Sequence, residues 1–314
     1  MRVPNVRSIQ KKSILKEKKN NSSLFYDKIW CMTKLQKILF VIVACLSVCM
    51  MTICFSLYRA IYVDPNEVVI QYKMIKEKKI PDEMKDVSIA YFTDLEYGAF
   101  ENKGRVDRLF KKLNDLHADI FIFGGDLLAE NYTVSEEAKA DMIARLSAID
   151  APLGKFAVLG EQDLINEERL QQVNDIYHQA QFEVLNNTNR LITNRSSQGI
   201  ELIGLYPDPN MEQALTGIGD QTYNLLVSHY ADPFLDDSLK GHSISLGIAG
   251  NSHGTQIMYP IYGGYRKWPG NEKLNRADGA KLSFPYMISS GTGCIKVNAR
   301  LNSKPEIIYL VFSR

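Results

Sequence analysis

Nine polar side chains stand out because each follows an apolar run that reads as a buried strand. They are Asp94 and Glu96 in FTDLEYG, Asp126 in FGGDLLAE, Glu161, Gln162 and Asp163 in VLGEQD, His229 in LLVSHY, and Asn251 and His253 in GNSHGTQ. Carboxylates and imidazoles at strand ends, most of them near a glycine that lets the backbone turn tightly, are the donors a pair of divalent cations needs. Taken singly, an Asp after a strand is a helix cap or turn former, and a His is a hydrogen-bonded structural residue. The ordered set is what points to metal chemistry. Thiolates take no part: Cys45, Cys49 and Cys54 lie in a long apolar segment, Cys31 just before it, and Cys294 is the only thiol in the large remainder. One cysteine forms neither an internal disulfide nor a thiolate metal site.

The elements that must position these side chains follow from hydrophobic periodicity. VSIAYF at 87–92, DIFIFGG at 119–125 and KFAVLG at 155–160 predict buried strands, and the helical spacing over Arg105–Leu116, about 134–148 and about 165–180 predicts helices between and after them. Alternating strands and helices predict an α/β layer whose sites sit at the strand C-termini. The runs FEVL, RLIT, IELIGLY, YNLLVSH, ISLGIAG, PYMISSG and EIIYLVF follow with fewer helices, which predicts a second, more mixed sheet. Residues 59–86 read as a linker carrying a first strand, EVVIQYKM.

Charge is distributed unevenly. Residues 1–37 carry ten basic and two acidic side chains, and the other 277 carry 27 basic and 34 acidic ones. A mildly acidic body excludes nucleic-acid binding through its main surface, and 45% hydrophobic content excludes a disordered chain. Between tail and body lies Ile38–Leu57, an apolar run with no charged side chain. As a helix it spans about 30 Å, the thickness of a bilayer core. It exceeds the roughly 7–15 apolar residues of a cleaved signal. The positive-inside rule then makes residues 1–37 a basic cytoplasmic tail and 38–58 a single-pass signal-anchor helix. The body, 87–314, is expected outside the cell membrane.

In order and spacing the stations resemble those of the calcineurin-like metallophosphoesterases, in particular their membrane-anchored bacterial branch. That family carries Asp-x-His-x-Gly, Gly-Asp, Gly-Asn-His-Asp/Glu, an apolar strand ending in His, and Gly-His-x-His-Gly-Gly-Gln. Here they read Asp94-Leu95-Glu96-Tyr97-Gly98, Gly125-Asp126, Gly160-Glu161-Gln162-Asp163, Ser228-His229 and Gly250-Asn251-Ser252-His253-Gly254-Thr255-Gln256. FEVLNN at 182–187, ELIGLY at 201–206 and the ending from Ser289 also resemble that branch, so the likeness covers about residues 65–312. It implies an α/β fold, a four-layer α/β/β/α metallophosphoesterase sandwich preceded by one transmembrane helix. It implies one metal held by Asp94, Glu96, Asp126 and His253 and a second by Asp126, Glu161, His229 and Asn251, with Gln162 and Asp163 at the catalytic positions. One or two divalent ions are implied, Mn2+ or Mg2+ first and Ca2+ or Fe as alternatives. The implied reaction is hydrolysis of phosphomonoesters or phosphodiesters by metal-bound hydroxide at the cell envelope. Expected partners are the bilayer, through residues 38–58, and a phosphorylated small-molecule, lipid or wall substrate, with no nucleic acid.

Three of the seven ligand positions depart from the family pattern: Glu96, Glu161 and Asn251. None has become apolar, and each still offers an oxygen. Two added carboxylates neutralise the surplus charge of two divalent ions, which favours hard cations and weakens the pull on phosphate. Gln162 stands where the family has a His taken to protonate the leaving group; an amide cannot titrate, so general-acid help worth about 10²–10⁴-fold is missing. Two functional expectations result: an active hydrolase, or a catalytically impaired or inactive member serving as a metal- or ligand-binding module. Leu95, Tyr97, Phe100, Tyr259, Tyr262 and Trp268 either wall a lipid-facing pocket or pack in the core.

Overall fold

The computed structural model describes residues 33–100, 103–276 and 281–313. Most of the expected basic tail, residues 1–32, lies outside them. The chain divides into two units between Leu57 and Tyr58.

The first unit holds helix α1 (Lys34–Tyr58), which is long and apolar enough to cross a membrane and buries none of its residues. It starts ahead of the apolar run because Thr33 and Gln36 cap it reciprocally. Gln36 N donates to Thr33 Oγ1 (3.3 Å) and Thr33 N to Gln36 Oε1 (2.9 Å), satisfying two orphan amides. Ser47 and Thr52 turn their hydroxyls onto Val43 O and Val48 O within the helix, so neither presents an unpaired donor.

The second unit is built on two sheets. Its strands are β1 (Val69–Lys76), β2 (Ser88–Phe92), β3 (Ile120–Phe123), β4 (Gly154–Ala157), β5 (Glu183–Val184), β6 (Thr188–Thr193), β7 (Gly199–Gly204), β8 (Tyr223–Ser228), β9 (Leu246–Ala249), β10 (Met258–Tyr259), β11 (Gly263–Gly264), β12 (Tyr286–Ile288) and β13 (Glu306–Ser313). Its helices are α2 (Lys103–Asp115), α3 (Glu136–Ser147), α4 (Glu167–Gln179) and the short α5 (Met211–Ala214). The first sheet runs β1-β13-β2-β3-β4-β5 and the second β12-β9-β8-β7-β6, while β10 and β11 form a separate hairpin.

Strands β2 to β5 are parallel, as their helical crossovers require. Strand β13 enters antiparallel to β2, and β1 pairs with β13 in parallel from Val69↔Glu306 to Lys76↔Ser313. In the second sheet only the β6–β7 pair is antiparallel.

Strict alternation sorts each strand's side chains into layers. Phe92, Phe121 and Phe123 face α2, α3 and α4 through Leu109, Leu113, Met142, Val173 and Tyr177. The opposite face, with Ile89, Tyr91, Ile122, Phe156 and Leu310, packs on Leu202, Leu225, Val227 and Ile248 of the second sheet. The far face of that sheet is covered by α5 and by the 3-10 turns that carry Phe234 and Leu239. This is the α/β/β/α sandwich, with a thin fourth layer. Because β2, β3 and β4 are mutually parallel, as are β8 and β9, the loops after them leave the same edge of their sheets.

Candidate metal centre

All nine side chains sit on those loops. Asp94 and Glu96 follow β2, Asp126 follows β3, Glu161, Gln162 and Asp163 follow β4, His229 follows β8, and Asn251 and His253 follow β9. Five of them are held at left-handed backbone angles: Asp94 (φ 53°), Glu96 (50°), Asp126 (58°), Asn251 (61°) and His253 (47°). Such angles cost on the order of 1–3 kcal/mol each in a non-glycine residue and survive only where surrounding structure enforces them. Here it does: Asp94 N donates to Gly125 O, Glu96 N to Asp126 O, and Asn251 N to both oxygens of Asp94 at 3.1 Å.

The side chains fall into two neighbouring groups. His229 Nε2 lies 3.1 Å from Glu161 Oε2, 3.3 Å from Asp126 Oδ2 and 4.0 Å from Asp94 Oδ1. His253 Nε2 lies 3.4 Å from Asp94 Oδ1 and 3.8 Å from Glu96 Oε1. One ligand atom each from Asp94, Asp126 and His229 falls within 4.8 Å of the others. Despite these approaches, Glu96 Oε1, Asp126 Oδ2, Glu161 Oε2 and His229 Nε2 are buried without a hydrogen-bond partner. Atoms gathered closely yet not aligned as donor and acceptor are arranged around a common point, which is how ligands stand around a cation. Oxygens dominate the set, so the residues fit one or two hard or borderline divalent ions, which when bound would supply Lewis-acid activation and charge neutralisation.

Burial drives the electrostatics. It pushes Asp94 up to about 6 and, together with neighbouring carboxylates, holds Glu96 and Asp126 well above the usual carboxylate range. At His229 burial alone would lower the pKa, but the carboxylates of Asp126 and Glu161 outweigh it and raise it. His253 is lowered by burial, with Arg300 and His229 adding to the effect. Gly124 O lies 2.7 Å from His229 Nδ1; with the proton on Nδ1, Nε2 is left as a bare lone pair facing the carboxylates. That contact needs Gly125, whose φ is 96° and where a Cβ would stand 2.7 Å from the imidazole Nδ1.

Asp163, expected at a catalytic position, stands among backbone amides. Its carboxylate is fully buried and occupied by three backbone amides: Oδ2 accepts from Asp126 N and Gly160 N, both at 2.9 Å, and Oδ1 from Leu127 N at 3.0 Å. It ties the Asp126 loop to the Glu161 loop, which makes it a positioning residue. Gln162 N donates to Asp126 Oδ1 (2.9 Å), while its own Oε1 is buried and unpartnered. Asn251 donates its amide nitrogen to Pro269 O (2.6 Å) and Asn271 Oδ1 (2.9 Å), so any ligand atom it offers is Oδ1.

Two supporting residues, Asn271 and Arg300, escaped the sequence reading, and Gln256, the last residue of the fifth station, joins them in support. Asn271, fully buried, donates to Gly250 O and Leu274 O and accepts from Ala231 N and Asn251 Nδ2. Arg300, also fully buried, donates to Gly293 O, His253 O and Ser303 O. Gln256 stitches the β9 loop to the 295–297 segment through both amide atoms. Asn271 reads locally as a turn residue after Pro269-Gly270 and Arg300 as a surface cation; nothing local signals either role.

Layer order, parallel strand edges and an acid-rich, imidazole-bearing centre at those edges are the features metallophosphoesterases share. In layer order and in the order of its stations the chain resembles the calcineurin-like metallophosphoesterases. It is similar to the metallophosphoesterase YkuE of Bacillus subtilis, with 23% identity over 250 residues, covering 78% of this chain and 86% of that protein. It also resembles metallophosphoesterase YkoQ of the same organism, at 24% over 209 residues and 65% and 76% coverage. A Danio rerio transmembrane protein with a metallophosphoesterase domain matches at 21% over 254 residues, 76% of this chain and 56% of that one. Among solved structures, the calcineurin-like phosphoesterase YfkN of Bacillus subtilis aligns over 66% of this chain and 82% of its own, with 16% identity and a TM-score of 0.37. No family model matches the sequence.

Proposed function

We propose that the protein is a membrane-anchored, metal-dependent phosphoesterase of the cell envelope that hydrolyses phosphomonoesters or phosphodiesters. The observation that carries this reading is the convergence of the Asp94, Glu96, Asp126 and Glu161 carboxylates with two imidazoles at the strand edges, where Glu96 Oε1, Asp126 Oδ2, Glu161 Oε2 and His229 Nε2 are buried without a hydrogen-bond partner. The ligand set favours Mn2+ or Mg2+, with Asp94, Glu96, Asp126 and His253 around one position and Asp126, Glu161, His229 and Asn251 around the other. A cavity of about 440 Å³ beside Glu96, lined by Phe100, Tyr132, Ile295 and the ion-paired Glu130 and Lys296, offers a phosphorylated substrate an aromatic wall. Helix α1 supports anchoring, and the basic residues before it support a cytoplasmic N-terminus with the body outside. The acidic body argues against a nucleic-acid partner.

Gln162 favours a second reading, a member impaired in catalysis that works as a metal- or ligand-binding module. Its amide cannot supply a proton to a leaving group. Metal analysis of the purified full chain, alongside turnover of a nitrophenyl and an alkyl phosphodiester with Mn2+ present, decides. Nitrophenyl turnover well above alkyl turnover supports the enzyme lacking an acid; bound metal with neither activity supports the module; absence of bound metal refutes both.

A further inference from the structure

The β10–β11 hairpin is built in a way that its role as part of the body's own fold does not explain. Its base is firmly seated. Met258 N donates to Leu301 O (2.9 Å), Asn302 Nδ2 donates to Met258 O (3.0 Å), and Gly264 packs so closely on Thr255 that a Cβ would stand 1.7 Å from its hydroxyl. Its tip, Pro260-Ile261-Tyr262, closes in a three-residue turn with Tyr262 N on Pro260 O (2.9 Å). Ile261 sits at the centre of that turn with φ 76°, an angle disfavoured by a β-branched side chain and free for glycine. It is also 100% exposed, and Tyr262 is 89% exposed, with Tyr259 and Tyr265 exposed beside them. A strained, wholly solvated isoleucine flanked by tyrosines gains nothing from the body's own core, so the strain points to an occupant outside it.

Charge says which occupant. Exposed Arg266, its guanidinium 4.4 Å over the Trp268 ring, and Lys267 follow the hairpin, and no acidic residue occurs from Gly254 to Asn271, although the body as a whole is acidic. Apolar and aromatic side chains with adjoining Arg and Lys are the composition that sits in the headgroup region of an anionic bilayer. We infer that the 258–267 hairpin inserts its Ile261–Tyr262 tip into an anionic phospholipid surface, with Arg266 and Lys267 on the phosphates. The hairpin springs from the loop that carries Asn251 and His253, and Trp268 lies 5.9 Å from the His253 ring, centroid to centroid. Docking there would bring the metal centre's own loop to the level of lipid headgroups. The inference rests on the proposed anchoring only in that a tethered body meets a bilayer continuously.

The test places a reporter at the tip of the full chain in vesicles of equal parts phosphatidylcholine and phosphatidylglycerol. Tyr262→Trp keeps an aromatic at the site, and Leu191→Trp, exposed on β6, is the control. When brominated phosphatidylglycerol replaces the ordinary lipid, the added Tyr262→Trp emission should fall by about half and the added Leu191→Trp emission should not. Reversing Arg266→Glu and Lys267→Glu together should abolish the quenching, with metal content as the check on folding. Equal emission from Tyr262→Trp in both lipids overturns the inference. So does shielding of that tryptophan from aqueous acrylamide without bromolipid quenching, which would mean a protein occupant. Quenching that survives charge reversal overturns the anionic-headgroup contact. An alkaline carbonate wash of the same vesicles reports on the α1 anchor separately: release with quenching intact at neutral pH removes the anchor reading and leaves the hairpin's.

Discussion

Asp163 is the residue whose replacement tests the architecture of the centre most directly. Asp163→Asn preserves shape and leaves one carbonyl oxygen, which can serve Asp126 N and Gly160 N as Oδ2 does now, while the new NH2 meets Leu127 N–H across a gap of 3.0 Å. One charge-assisted bond worth about 1.5–3 kcal/mol is lost and a buried amide is orphaned at about 1–3 kcal/mol. Removing a buried negative charge beside Asp126 offsets part of this, so a net loss of about 2–4 kcal/mol is expected. For a body of this size that corresponds to a fall in midpoint of roughly 4–12 °C. Thermal unfolding of the full chain in detergent, followed by circular dichroism, would measure it. Asp163→Ala, which orphans all three amides, should fall further. Bound metal should drop in both, because the Asp126 and Glu161 loops lose their common tie. A wild-type midpoint and wild-type metal content in Asp163→Asn would refute the positioning role.

The other expectations are simpler. Asp126→Ala should remove metal from both positions, since the two proposed ligand sets share that carboxylate; elemental analysis showing full occupancy would reject the ligand assignment. Gln162→His should raise turnover of an alkyl phosphodiester by about 10²-fold while changing nitrophenyl turnover little, read as a ratio of initial rates. Arg300→Lys replaces a fork serving three carbonyls by a single ammonium and should cost about 2–4 kcal/mol in denaturant unfolding. Gly264→Ala drives a Cβ into Thr255 and should lower the thermal midpoint by an amount corresponding to about 1–3 kcal/mol of overpacking.

The sequence by itself determined which segments are strands and helices, because period-2 and period-3.6 patterns are local. VSIAYF, DIFIFGG and KFAVLG stand as β2, β3 and β4, and the apolar run from Ile38 lies within α1. It also determined where chemistry could sit, because polar residues placed directly after buried strands have nowhere to go but the sheet edge. Only the tertiary structure decided what is paired across long separations. The strand in the expected linker is an edge strand aligned with β13 over its whole length, a register that no local pattern encodes. Asp163 follows a buried strand as the other acids do, and only the fold brings the amides of Asp126 and Gly160 to it. Asn271 and Arg300 read as turn and surface residues until the fold buries them among carbonyls. Their roles depend on backbone groups far away in the chain. Tyr259 and Tyr262 show the converse: types that suit a core or a pocket wall are held in solvent on the hairpin, while Leu95 and Trp268 are buried. Hydrophobic character fixes a preference for leaving water, and the three-dimensional arrangement alone decides whether the body itself or some other surface provides the refuge.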